Sequence, residues 1–452
     1  IDRSSDFTGN LTLSMGDGTD TLLSSKFKNG DSVDMGAGND IVYVMVSGGS
    51  GTPAFASLDM AKLDGGAGVD TLYFVESTTG GAEVSLSSGG AINFENLSGS
   101  TASETVRGNS GDNILYGNSG SDIIYGGDGN DILVANDRYN DGADDATVNA
   151  DDNLYGEAGN DSLYGTASDN ILDGGTGADT LYSGNGSDTI VLRVGDGGST
   201  LALADTITDF TDGTDVLGMD DGLQYTDLTI AQGTGSNSSD TIISAGSEYL
   251  AILTGINVSD VNYFDFASMA TGNQSFTGTT GDDVFIGAAG VDTITTNTGT
   301  DIVLASSGND VITIDGVGNK TIDGGSGTDS LTISVSGISS LGDYTPTASG
   351  DYTVLTDSNS NVIQFKNIEN LTVGSYAYTN NTSDDTFWNA TEKALYMYDG
   401  GSTSSSSITD LSGFSASANL SVVGSGLADS MNLNIDRSSD FTGNLTLSMG
   451  DG

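Results

Sequence analysis

The chain has 452 residues, with 55 Asp and 8 Glu against 11 Lys and Arg, giving a net charge of −52 at pH 7. That charge repels nucleic acid and anionic membrane surfaces, whose partners need a basic footprint. Cys and His are both absent, which excludes disulfides, thiolate or imidazole metal sites, and Ser-His-Asp or Cys-His catalysis.

With 67 Gly and 2 Pro, the composition suits many tight turns and few helices. No run of about twenty apolar residues is long enough to span a bilayer. Acidic chains poor in aromatics are often disordered. Here the Asp residues recur at regular intervals, beside Gly and ahead of apolar residues, and this predicts a folded, all-β chain.

In chain order, the first stretch is IDRSSDFTGNLTLSMGDG, Ile1–Gly18, which recurs unchanged as Ile435–Gly452 at an offset of 434 residues. The identity predicts a tandem repeat whose copies join end to end, so the expected partner is the chain itself. Residues 1–75 carry sparse copies of one turn: MGDGTDTLL from Met15, MGAGNDIVY from Met35 and GGAGVDTLY from Gly65. Residues 76–107 read as a β lead-in containing FENLSGS, Phe94–Ser100.

From Gly108 the spacing becomes strict. GNSGDNILY, GNSGSDIIY and GGDGNDILV run to Val134, and GEAGNDSLY, GTASDNILD, GGTGADTLY and SGNGSDTIV run from Gly156 to Val191. A polar, acidic insertion, 135–146, interrupts the block of 108–191 and reads as a surface loop. Residues 192–277 read as a β-rich cap containing ADTITDFTDGTDVLGM, Ala204–Met219. Its Ile207, Phe210, Val216 and Leu217 are expected to cover the open end of the coil.

A second block, 278–332, reads GTTGDDVFI, GAAGVDTIT, TNTGTDIVL and ASSGNDVIT from Gly278 to Thr313, with a further copy, GGSGTDSLT, beginning at Gly324. Residues 333–419 are Ser/Thr-rich, contain IENLTVGS (Ile368–Ser375), and read as a metal-free β-solenoid or β-sandwich. One short helix is expected at Asn389–Tyr398, capped by Asn389. Residues 420–452 begin the next copy.

The nine-residue spacing has a mechanical reading. Six residues make a turn that needs Gly for left-handed backbone and for close approach. Three make a short strand whose middle residue points inward. Leu115, Ile124, Leu133, Leu163, Leu172, Leu181, Ile190, Ile294, Val303 and Ile312 hold that inward place. Two nonapeptides complete a coil of eighteen residues, so alternate turns stack on one edge. Asp161 then lies over Asp179, and Asn170 falls between Asp152 and Asp188 as the doubtful, uncharged member of its stack. Tyr164 and Tyr182 are expected to stack on an outer face.

These runs resemble the RTX nonapeptide, G-G-x-G-x-D-x-U-x with U apolar. The resemblance implies an all-β fold: a parallel β-roll or β-solenoid with calcium-binding turns, joined by metal-free β-rich segments. The sixth-position carboxylates are the expected ligands: Asp20, Asp40, Asp70, Asp122, Asp131, Asp152, Asp161, Asp179, Asp188, Asp283, Asp292, Asp301, Asp310 and Asp329. Stacked carboxylates need a cation between them. Ca²⁺ suits them, being hard, flexible in geometry and content with carboxylate and carbonyl oxygens, at roughly one ion per loop.

The resemblance also implies a bacterial protein exported unfolded by a type I system. It would fold at the cell surface, where calcium supplies folding free energy. Three roles fit: a repeat unit of a filament, sheath or surface layer; the stalk or ligand-binding part of an adhesin that meets a surface glycan; or the RTX tail of a secreted enzyme. The lack of His and of a distinct catalytic block favours a non-enzymatic role.

Overall fold

A computed structural model of the chain describes residues 10–24, 31–45, 62–75, 82–87, 90–136, 150–349 and 351–381. It also describes the strands at 386–389, 394–397, 405–408, 420–423, 430–433 and 445–448. Among these residues every regular element is a β-strand or a short 3-10 turn. The chain divides into two units, Ile1–Leu223 with Asp227–Phe266, and Gln224–Thr226 with Ala267–Gly452.

In the first unit, successive turns send their strands alternately to two parallel sheets. One sheet stacks Asn96–Ser98, Ile114–Tyr116, Ile132–Val134, Ser162–Tyr164, Thr180–Tyr182 and Asp205–Ile207. It continues toward the N-terminus through Thr71–Val75, Ile41–Met45 and Thr21–Ser24. The other stacks Ala82–Ser85, Glu104–Arg107, Ile123–Asp128, Asn153–Ala158, Ile171–Asp173, Thr189–Leu192 and Val216–Met219.

Strands of three residues gain little alone, so the coil is held by register and by what each strand buries. Leu115, Leu133, Leu163, Leu181 and Ile207 align along one sheet. Val106, Ile124, Leu154, Leu172, Ile190 and Leu217 align along the other. All are at most 1 % exposed, and each contributes about 1.5–3 kcal/mol by leaving water. A slip of one residue would turn the whole row outward, so the apolar eighth position fixes the register. The outer faces carry the ninth-position tyrosines. Tyr164 stacks on Tyr182 with ring centroids 4.8 Å apart, and Tyr125 on Tyr155 at 4.9 Å.

The acidic insertion leaves the coil undisturbed. The step from Asp161 to Asp179 is 18 residues, and from Asp131 to Asp161 it is 30. Ile132 still pairs with Ser162. Residues 137–149, which take in all but the first two residues of this loop, lie outside the described residues.

The segment Ala204–Met219 does more than cover an end, because it adds one strand to each sheet. Ile207, Phe210 and Leu217 are buried as expected. Val216 instead faces outward, half-buried, because Leu217 takes the inward place. The antiparallel strands Leu228–Gln232, Thr241–Ala245 and Glu248–Leu253 then close the sheet against Asp205–Ile207.

The second unit repeats the plan. Phe276, Ile294, Ile312, Leu331 and Leu371 align along one sheet. Phe285, Val303, Ile322 and Phe365 align along the other. Beyond 333 antiparallel pairs join the parallel ones, with Tyr344–Ser349, Tyr352–Asp357 and Val362–Lys366 in one meander. Val362–Lys366 and Asn370–Val373 also pair in parallel with Lys320–Asp323 and Ser330–Ile333, so the two parallel sheets continue into this region.

The helix expected at Asn389–Tyr398 does not form. Thr386–Asn389 and Ala394–Met397 are antiparallel strands, the first paired also with Tyr376–Asn381. Thr386, Phe387, Trp388 and Tyr396 are β-branched or aromatic, and pairing on both sides outweighs the helix preference of Ala, Glu and Lys.

Candidate metal centre

The sixth-position side chains form two ladders in the first unit, one on each edge. On one edge Asn113, Asp131, Asp161, Asp179 and Asp205 follow one another. The backbone N–H of each donates to the side-chain oxygen of the next, at 2.6–3.0 Å. On the other edge Glu104, Asp122, Asp152, Asn170, Asp188 and Asp215 do the same at 2.7–3.2 Å. A third run joins Asp20, Asp40, Asp70 and Glu95. In the second unit the runs are Asp283 to Asp301, and Asp292 to Asp310, Asp329 and Glu369. Asp161 thus lies over Asp179, and Asn170 stands between Asp152 and Asp188.

In every run the carboxylates after the first member have one oxygen satisfied by this ladder, and the other decides the chemistry. The Oδ2 atoms of Asp20, Asp40, Asp70, Asp122, Asp131, Asp161, Asp179, Asp188, Asp310 and Asp329 are buried with no hydrogen-bond partner. A buried, unpaired carboxylate oxygen is costly. Among the described residues no three acidic side chains gather round one point, so further oxygens for an ion come from backbone. They are in place. A methyl group built on Gly126 would lie 2.5 Å from Asp131 Oδ2 and 2.7 Å from the carbonyl oxygen of Gly156 in the next coil. One on Gly117 would lie 2.7 Å from Asp122 Oδ2 and 2.8 Å from Ala135 O. In these two turns the first-position Gly therefore leaves room beside a carboxylate and a carbonyl oxygen, a pair of a kind that suits a hard cation such as Ca²⁺.

Whether the second oxygen stays free follows the second residue of the turn. Beneath every orphaned Oδ2 that residue has positive φ: Gly16, Gly36, Gly66, Asn118, Gly127, Glu157, Gly175, Gly184, Ser306 and Gly325. Its N–H is turned away from the carboxylate. Thr279 and Ala288 lack positive φ, and their N–H groups donate to Asp283 Oδ2 and Asp292 Oδ2, both at 2.7 Å. The same closure joins Asn109 N–H to Asn113 Oδ1 at 2.7 Å.

Asp292, expected as a ligand, thus has both oxygens occupied by backbone N–H groups, and Asp283, likewise expected, has both occupied by Thr279, Oδ2 by its N–H and Oδ1 by its hydroxyl. Asp152 is 1 % exposed and accepts from Asp122 N–H. Asn170 fills its own loop, its amide donating to Ser168 O at 2.6 Å and Asp188 Oδ1 at 3.1 Å. Asp301 Oδ2 lacks an aligned hydrogen bond but faces Lys320 Nζ at 2.9 Å.

Burial pushes the ladder carboxyls up. Asp122 and Asp161 rise to about 8, chiefly through desolvation and further through Asp152 and Asp179 respectively. Asp152 rises to about 7, and Asp70, Asp131, Asp179, Asp188 and Asp329 to about 6, again mainly by desolvation. The backbone N–H on Oδ1 works against the rise in each case. Without a cation the folded ladder holds protons at a pH where free Asp holds none.

Several ladder members lack the expected Asp signature. Glu104 holds the sixth place of a turn beginning at Gly99, its Oε1 bonded to Ser100 Oγ. Glu95 and Glu369 belong to the two E-N-L stretches, and each accepts the N–H of the last Asp of a run at 2.7 Å. Asp205 and Asp215 of the capping segment close the two edges, and Asp209 accepts from Ser183 and Gly184 N–H. Asp31 accepts from Leu11 N–H at 2.8 Å. The signal available was the echo of the E-N-L stretches, which marks where a glutamate continues the ladder.

The family model of the RTX calcium-binding nonapeptide repeat (4 copies) matches residues 98–133, 147–181, 155–190, 164–197 and 277–312. The first match begins ten residues before Gly108 and so takes in the turn that carries Glu104. Those stretches carry RTX-type nonapeptide repeats, and repeats of this family bind calcium. No curated protein matches the chain. RTX repeats are typical of secreted or extracellular proteins, and among the described residues no helix is long and apolar enough to cross a membrane.

Proposed function

We propose that the chain is a structural repeat unit of a large, calcium-stabilised bacterial surface protein, whose copies continue one into the next as a filament, sheath or surface layer. The eighteen-residue identity of Ile1–Gly18 and Ile435–Gly452 carries this reading. The shared letters are strand-forming at both places. Thr12–Ser14 pairs in parallel with Ser32–Asp34, and Leu445–Ser448 pairs in parallel with Leu420–Val423. One copy's last coil would be the next copy's first. The orphaned Oδ2 atoms fold by taking up calcium, so the polypeptide stays open where calcium is scarce and rigidifies outside the cell. The ligands we assign are Asp20, Asp40, Asp70, Asp122, Asp131, Asp161, Asp179, Asp188, Asp310 and Asp329, with backbone carbonyls completing each cradle. No catalytic role is proposed.

A second reading, the stalk of an adhesin that meets a surface glycan, is favoured by one feature. Arg107 lies over the Tyr125 ring at 3.9 Å, beside a groove of about 610 Å³ lined also by Leu86, Asp128 and Glu157. Aromatic faces rimmed by polar groups suit sugar rings.

The discriminating measurement is the mass of the native polypeptide, denatured and stripped of calcium. A mass of several multiples of 45.7 kDa supports covalent tandem copies. A mass near that value contradicts them.

A further inference from the structure

We propose that Lys320 is a tethered cation standing where a calcium ion would otherwise bind, so that one edge of the second roll is held by protein alone. The inference rests on the calcium reading of the ladder. Lys320 lies in the stretch Asp315–Asp323, DGVGNKTID, which keeps the turn-and-strand grid of the nonapeptide. In that grid Lys320 occupies the sixth place, the place of the ladder carboxylate. Its position in the coil agrees, since Asp301 and Lys320 are paired in register between Asp301–Leu304 and Lys320–Asp323.

The side chain does not turn outward, as a long cation on an exposed coil would. It is 1 % exposed. Nζ lies 2.9 Å from Asp301 Oδ2 and donates to the carbonyl oxygen of Gly299 at 2.6 Å. A carboxylate oxygen and a backbone carbonyl are the same kinds of group that line the oxygen cradles of the other turns, although here the carbonyl belongs to the fourth-position Gly299 of Asp301's own turn. The ammonium therefore meets the ligands an ion would meet, and it also removes the second carboxylate with which Asp301 would have shared that ion.

The rest of this edge agrees. Its other member, Asp283, has its free oxygen taken by Thr279 N–H. The opposite edge keeps Asp310 and Asp329, each with an orphaned Oδ2, and continues to Glu369. The second roll would then bind calcium on one edge and not the other. A buried charge is tolerable only when paired in good geometry, and here the pairing is built into the sequence rather than drawn from solvent. Asp301 would be compensated at any calcium level, so it adds no unpaired buried charge to the roll when calcium is low.

Two measurements on the full chain test this. The first counts calcium by mass spectrometry after desalting from saturating calcium, for the wild type and for Lys320→Asp. The substitution restores a carboxylate opposite Asp301 and is expected to add one ion per chain. An unchanged count, with ions present in the wild type, would overturn the proposal. A wild type that binds no calcium would sink the calcium reading beneath it, so the two failures are told apart.

The second needs no variant to fold. Amine acetylation in saturating calcium, read by peptide mass spectrometry, is expected to modify Lys320 at least about tenfold more slowly than Lys366, because a buried amine reacts only through opening. The Lys366 side chain is 28 % exposed. Equal rates would mean that calcium displaces the lysine, and the proposal would fall.

Discussion

Protons should replace calcium in the ladder, because burial raises its carboxyls whenever no cation is present. The folded pKa values of Asp122 and Asp161, about 8, lie far above the ordinary value of 3.8. The folded state therefore binds more protons than the unfolded state between about pH 4 and 8. A raised acid adds stability as pH falls through its folded pKa, and the gain levels off near the unfolded value. Moving from pH 8 to pH 6 raises the protonation term of each of these two residues by about 2 kcal/mol. Asp152, near 7, adds about 1 kcal/mol and the five ladder residues near 6 add a few tenths each. The sum, about 5–7 kcal/mol, is comparable to the whole stability of an ordinary domain.

The assay is urea unfolding of the calcium-stripped chain, followed by far-UV circular dichroism at pH 6, 7 and 8 and fixed ionic strength. Strand signal lost at pH 8 should return at pH 6 without calcium. Relief of general charge repulsion acts in the same direction, so the control is the double variant Asp122→Asn/Asp161→Asn. It should flatten the pH difference by about 4–5 kcal/mol. A calcium-free wild type no more stable at pH 6 than at pH 8 would refute the reasoning.

Three further outcomes are expected. Asp310→Asn should cost one bound calcium per chain, whereas Asp292→Asn should leave the count unchanged, because Ala288 N–H already holds Asp292 Oδ2; equal ion counts for the two variants would contradict the open and closed assignment. Ser306→Gly should stabilise the second unit by about 0.5–1 kcal/mol in denaturant unfolding, since Ser306 is held at φ 76 and glycine relieves left-handed strain; a destabilised variant would show that the serine has a role beyond adopting the turn. Gly159→Ala should abolish calcium-dependent folding of the first roll, because at φ 145 a methyl group there would overlap the Gly129 carbonyl of the coil below; normal folding would mean that the coils stack less closely.

The strict nonapeptides made the coil legible. An aliphatic at every ninth residue and a Gly-bearing turn between leave one arrangement that buries the row, and the inward residues from Leu115 to Ile312 are buried accordingly. The stacking of Asp161 on Asp179, and the place of Asn170, follow from two repeats per coil. What the pattern hid was local. Asp283 and Asp292 carry the motif's carboxylate, yet Thr279 and Ala288 at the second position keep ordinary backbone and close the turn, a difference of conformation that a match to G-x-D does not register. Glu95 and Glu369 entered the ladder because a longer carboxylate can reach the same N–H, and Glu104 entered it by donating its own backbone N–H to Asp122. The strands at Thr386–Asn389 and Ala394–Met397 escaped notice because pairing partners distant in sequence, not local preference, decide them. Lys320 was hidden by its charge, the reverse of the residue whose place it takes.

The most direct test of the calcium-ladder account is chelation at neutral pH. Far-UV circular dichroism and limited proteolysis would follow the chain in excess EGTA, then on return of calcium or of magnesium. Loss of strand signal and protection across both Gly108–Val191 and Gly278–Leu331, restored by calcium but not by equimolar magnesium, is the predicted result. Strand signal and protease resistance unchanged in EGTA would mean that the carboxylate ladder is stable without an ion, and would contradict the account.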